Sequence, residues 1–292
     1  EIPHALTLST DLPLKQEHRV SETALVALEG RANAMATRSV TINGIPANWS
    51  AWEASWKADA FELQPGLNHL SVRAFDASHA ELDRLEFTVW HETGAHQPLN
   101  ADITTDTVLS AAGGPWFFPG KTVVQKQAAL SIEAGAMVYF GEDAQLEVRG
   151  RLTISGKPDR RATLTTPPGT SHRWRGIRWI GSTQPNRLAH VNISSVAADA
   201  PAVQANGSRL ELSGVAFRDL LGTAIKFSDS GLVASDCLFE TAATDAGVAL
   251  PVVTGSGFAG GSSVVFRGNH FAATGRPAPV FVFDGQGQLG AW

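Results

Sequence analysis

Four short segments in the second half of the chain can be laid over one another. They are Leu188-Ala-His-Val-Asn-Ile193, Leu212-Ser-Gly-Val-Ala-Phe217, Ala234-Ser-Asp-Cys-Leu-Phe239 and Phe266-Arg-Gly-Asn-His-Phe271, with starts 24, 22 and 32 residues apart. A second apolar strand falls between them each time: at Val203, at Ile225 and Phe227, at Val252 and Val253, and at Val280 to Phe283. A repeat near 22 residues, made of short strands and tight turns, is the length of one coil of a right-handed parallel β-helix. No such unit buries its apolar side alone, so the coils must stack. The 32-residue interval marks an inserted loop, for which residues 242–250 and 255–261 are the candidates.

The same rhythm continues upstream through Thr122-Val-Val, Leu130-Ser-Ile132, Met137 to Phe140, Leu146-Glu-Val148, Leu152-Thr-Ile154 and Ala162-Thr-Leu164. Before about residue 92 the grammar differs. Segments such as Ser39 to Ile42, His69 to Phe75 and Leu85 to Trp90 alternate apolar and polar residues, which predicts half-buried strands of a small antiparallel β-sandwich. Trp49, Trp52 and Trp56 fit helical spacing, but the turn signals around them (Asn43-Gly44 and Pro65-Gly66) make a strand or long loop as good a reading. The fold class expected is therefore all-β: a sandwich over residues 1–95, with 1–19 as an extended lead-in, and a parallel β-helix over 96–292. Residues His91 to Leu99 are the expected linker.

Two resemblances sharpen this reading. The run Val40-Thr-Ile-Asn-Gly44, then Leu63-Gln-Pro-Gly-Leu-Asn68 and Ala74-Phe-Asp76, resembles the immunoglobulin-like modules of bacterial surface and carbohydrate-active proteins. The run from Thr122 through Leu130-Ser-Ile-Glu-Ala-Gly135, Leu146-Glu-Val-Arg-Gly150, Leu152-Thr-Ile-Ser-Gly156 and Trp174-Arg-Gly-Ile177 resembles the opening coils of the pectate-lyase-like superfamily. The second resemblance covers roughly residues 103–290. It implies a fold shared by polysaccharide lyases and hydrolases, adhesins and non-catalytic surface proteins.

Stacked coils turn equivalent residues into columns about 4.8 Å apart. Ile193, Phe217, Phe239 and Phe271 form one inward column; Val191, Val215, Cys237 and Asn269 form another. Cys237, the lone cysteine, is then a small buried hydrophobe, and Asn269 must be hydrogen-bonded. Alternate residues point outward, so Arg218 faces Glu240 one coil away, while His190 and Asp236 lie two coils apart.

The chemistry such coils carry in enzymes needs clustered carboxylates, as an acid/base pair or as a calcium cage. The acidic residues Asp219, Asp229, Asp236, Glu240 and Asp245 fall at dissimilar turn positions, with no stacked acidic column. Gly255-Ser-Gly-Phe-Ala-Gly260 matches a dinucleotide fingerprint, but a strand follows where a helix is required. The nine histidines show no paired ligand spacing, and one cysteine excludes a disulfide framework. No cofactor or metal is expected, and whether calcium sits in a turn is left open.

Residues 149–178 hold Arg149, Arg151, Lys157, Arg160, Arg161, Arg173, Arg175 and Arg178 against Asp159 alone, in a chain of net charge −5. With His172, Trp174 and Trp179 they are the candidate binding surface. Arginine matches carboxylate or sulfate bidentately, and tryptophan offers a flat face to a sugar ring. The competing reading places the tryptophans in the core and the arginines on exposed turns. The function expected is a non-catalytic secreted or cell-surface module binding an acidic polysaccharide or other anionic polymer, as part of a larger protein. The alternative is a lyase or glycosidase using His190, Arg218 and Lys226. The acidic balance argues against a nucleic-acid partner, and no apolar run is long enough for a membrane span. Few residues follow Val280 to Phe283, so further chain or a partner is expected to cover the last coil.

Overall fold

A computed structural model describes residues 5–15, 18–64, 66–92, 96–241, 250–257, 263–273 and 280–284. Among these, every regular element is a β-strand. The chain divides into two compact units, residues 1–95 and 96–292.

The N-terminal unit is one continuous nine-stranded sheet. Its spatial order is Thr7–Ser9, Leu25–Arg31, Ser55–Glu62, Ile45–Ser50, Ser39–Ile42, Gly66–Phe75, Glu81–His91, His18–Ser21 and Leu14–Lys15. All neighbours run antiparallel except His18–Ser21, which lies parallel to Glu81–His91. Ile45–Ser50 pairs on both sides, so the two halves expected to face each other as a sandwich are tied into a single curled sheet. The alternation seen in the sequence reappears as alternating burial, as in Leu25–Arg31 and Ser39–Ile42. Leu28, Val40, Ile42, Trp56, Leu70 and Val72 form the core. The tryptophan series is a hairpin, not a helix. Trp49 pairs with Trp56, and Trp52 at the turn is 98% exposed. His91 belongs to the last strand and is buried, so it is not linker; the rest of that linker lies partly outside the described residues.

The C-terminal unit is a parallel β-helix. Its chain passes in turn through three sheets. Sheet I stacks Gln97–Pro98, Trp116–Phe118, Met137–Phe140, Ala162–Thr165, Val191–Ile193, Ala216–Leu220, Leu238–Thr241 and His270–Ala273. Sheet II stacks Thr122–Val124, Leu146–Val148, Ile177–Ile180, Val203–Asn206, Ile225–Ser228, Val253–Ser256 and Phe281–Asp284. Sheet III stacks Thr107–Leu109, Ala129–Glu133, Arg151–Ser155, Asn186–Ala189, Arg209–Ser213, Gly231–Ser235 and Val264–Arg267. Every pairing in these ladders is parallel.

The expected columns are present. Ile193, Phe217, Phe239 and Phe271 are register partners in succession. Their three phenylalanine rings stack at 4.9 and 4.6 Å, and a second stack joins Phe118, Phe140 and Trp174 at 5.3 and 3.9 Å. Asn269 closes its column half-buried rather than buried, and its amide is satisfied. It accepts from the Cys237 amide at 2.9 Å and donates to the Ala234 carbonyl at 2.9 Å. The loops expected at 242–250 and 255–261 lie mostly outside the described residues.

Candidate functional site

Left-handed turns explain three of the acidic residues, Asp219, Asp229 and Asp236. His190, Gly214, Asp236 and Gly268 all adopt left-handed φ between 48° and 63° at the III–I corner. Gly207, Asp229 and Gly257 do the same at the II–III corner, as do Ser195 just past its sheet I strand and Asp219 near the end of its own. Asn and Asp are among the few non-glycine residues that tolerate this conformation. At the III–I corner bulky residues alternate with glycine for a packing reason. A Cβ on Gly214 would lie 2.6 Å from His190 Nδ1, and one on Gly268 would lie 2.4 Å from Asp236 Oδ1. These side chains hold turns, and among the described residues no group of three or more His, Cys, Asp or Glu could hold a metal ion. Asp245 lies outside the described residues.

The arginine-rich segment does not form one surface. Trp174 and Trp179 are fully buried, so neither ring is open to a sugar. Trp174 stacks on Phe140 and donates its indole N–H to the Ser194 carbonyl at 2.7 Å. Ile177 and Trp179 share one parity of their strand and both point inward, which leaves Arg178 outward between them. His172 sits half-buried, its Nε2 3.3 Å from the Phe140 carbonyl.

The arginines themselves scatter over all three corners, and most are spent on protein partners. Arg173 spans coils at the I–II corner, donating to the carbonyls of Val196 and Asp219 and pairing with the Asp219 carboxylate at 3.0 Å. Arg175 bridges Asp143 at 3.2 Å and Asp199 at 2.7 Å. That hydrogen bond holds Asp199 below the usual carboxylate range and raises Arg175. At the III–I corner Arg161 donates to Asn192 Oδ1 at 2.7 Å and to the carbonyls of Val191 and Gly214; burial lowers its pKa. Arg160 reaches the Ala134 carbonyl at 3.2 Å, while Lys157 and Arg151 stand exposed on sheet III and its corner.

His190, Arg218 and Lys226 do not converge. His190 shapes the III–I corner, Arg218 lies on sheet I paired with Glu240 at 3.4 Å, and Lys226 projects from sheet II. The thiol of Cys237 is buried, and desolvation pushes its pKa up to about 11.

What the structure does assemble is the outer side of sheet II. Val123, Glu147, Arg178, Gln204, Lys226, Thr254 and Val282 are register partners down its whole length. Glu147 is a charged residue in this column whose side chain is only 2% exposed. Its two oxygens are held at 2.7 Å by Lys121 and by Arg149, each about half exposed. Burial pushes the Glu147 carboxyl up, but these two partners outweigh it and the net shift is downward. Arg178 and Lys226 have no ion-pair partner among the described residues. Arg178 Nε and Thr254 Oγ1 are buried and make no hydrogen bond. Lys121 and Arg149 thus neutralise the buried carboxylate, while Arg178 stands one strand from it and Lys226 three strands away.

The sequence singled out Arg149, Arg178 and Lys226 but not their common side, and it missed Glu147, Lys121 and Gln204. The signal was the strand parity of Ile177 to Trp179, extended through the corner lengths. The chain matches no protein-family model and no curated protein sequence.

Proposed function

We propose that the protein is a non-catalytic extracellular or cell-surface module that binds acidic polysaccharide on the outer side of sheet II. The observation that carries the reading is the imbalance there: Lys121, Arg149, Arg178 and Lys226 against Glu147 and Asp284, in a chain of net charge −5. A strand surface with amide and hydroxyl neighbours suits a polymer better than a small molecule, since nothing among the described residues encloses the ligand. The quoted motifs support the finer readings, an immunoglobulin-like spacer followed by a pectate-lyase-like helix. Attachment to further domains of a longer native chain fits the same role.

Binding to immobilised acidic and neutral polysaccharides tests this. Acidic polymers should be retained at about 0.01 M salt and released near 1 M, where the screening length falls from roughly 30 Å to 3 Å. Retention that ignores salt, or that favours neutral polymers, overturns the reading. So does the appearance of unsaturated or shortened sugar products on incubation, which would restore the lyase or glycosidase alternative.

A further inference from the structure

Resting on that reading, we infer the shape of the ligand: an extended 1,4-linked acidic chain, running along the helix axis, with one carboxylate turned toward sheet II for every two sugars. Arg178, Gln204, Lys226 and Thr254 occupy successive strands in strict register. Neighbouring strands lie about 4.8 Å apart, so Arg178 and Lys226 are separated by roughly 10 Å, with an uncharged amide between them. The column alongside runs Ile180, Asn206, Ser228, Ser256 and Asp284 in register, polar and uncharged beside Gln204, Lys226 and Thr254, with its one carboxylate a strand beyond Thr254.

Lys226 is exposed, and Arg178 is half-exposed, its Nε buried and the rest of its guanidinium left to face outward. Both present cations at a fixed spacing. In a 1,4-linked chain whose linkage bonds are all equatorial, successive rings turn opposite ways. A given substituent then returns to the same side after every second ring, and two rings span about two strands of a sheet. Such a chain matches cation, amide, cation without bending. A chain with axial linkages is buckled and turns as it advances, so it loses register after its first contact.

Two polymers of equal charge per sugar separate the idea from plain electrostatics: the polyglucuronate made by oxidising cellulose, which is equatorially linked, and polygalacturonate, which is axially linked. Size-matched fragments of each would be titrated calorimetrically against the full chain at low salt. The native protein should bind polyglucuronate about tenfold more tightly. In the double variant Lys226→Gln with Gln204→Lys, net charge is unchanged but the cations are one strand apart. That variant should lose the tenfold preference while its polygalacturonate affinity stays put. Lys226→Gln with Thr254→Lys moves the cation to three strands and carries the same expectation, should the first variant fail to fold.

Equal affinity for both polymers, or a shifted variant that keeps the native preference, overturns the inference and leaves the proposed function standing. No salt-sensitive binding to either polymer overturns both.

Discussion

Replacing Glu147 with glutamine should move stability and ligand affinity in opposite directions. The carboxylate is buried, with Lys121 Nζ and Arg149 Nη2 each 2.7 Å from an oxygen. Glutamine keeps one acceptor and turns the other into a donor facing a cation. Because the two cations are 54% and 50% exposed, they can turn to water, so the cost falls below that of a fully buried broken pair and near that of one unsatisfied polar group: about 1–2 kcal/mol. Glu147 is also the register neighbour of Arg178. Removing its negative charge, about 5–10 Å from a carboxylate bound there, is worth roughly 0.4–0.8 kcal/mol in a water-like dielectric, or about two- to fourfold tighter binding at low salt. The pH dependence has a fixed sign. The folded-state pKa of Glu147 lies below its ordinary 4.5, so its contribution is present above that pH and disappears as pH falls through the folded value. Urea melts of both proteins at neutral pH should therefore differ, and the gap should close below about pH 4.5. Equal stability at neutral pH refutes the role of the buried carboxylate. Unchanged or weaker binding of acidic polysaccharide by the variant refutes the placement of the site on sheet II.

Gly214→Ala should cost about 1–2 kcal/mol for its left-handed backbone, and more for the contact with His190. Combining it with His190→Ala should recover the second part; additive urea-melt values would show that the two residues do not touch. Phe239→Ala, which empties the middle of the aromatic stack, should lose about 3–5 kcal/mol, and a loss near 1 kcal/mol would mean the column is not close-packed. Cys237 should resist an aromatic disulfide reagent in the native protein and react at once in denaturant. Fast labelling of the folded chain would contradict its burial.

The inward columns were readable in the sequence because stacking follows simple counting: residues one repeat apart must share a level. Arg218 opposite Glu240 came from the same count. The arginine segment was not readable in that way. Its partners Asp143 and Asp199 arrive from other coils through I–II corner loops of unequal length, and Asp219 from the end of a sheet I strand. No local count predicts which level such a loop reaches. Parity alone would have turned Trp179 inward with Ile177, but eight cations in thirty residues suggested one surface. In the N-terminal unit, alternation predicted the strands well. Whether they make two facing sheets or one curled sheet depends on Ile45–Ser50 pairing on both edges, a long-range choice that period cannot reveal.

The alternation of large and small residues at the III–I corner has a consequence for building with this scaffold. His190 leans over the space where Gly214 has no side chain, and Asp236 does the same over Gly268. A single coil copied and inserted would bring two bulky turn residues, or two glycines, onto adjacent levels. Lengthening this protein by duplication therefore has to proceed two coils at a time.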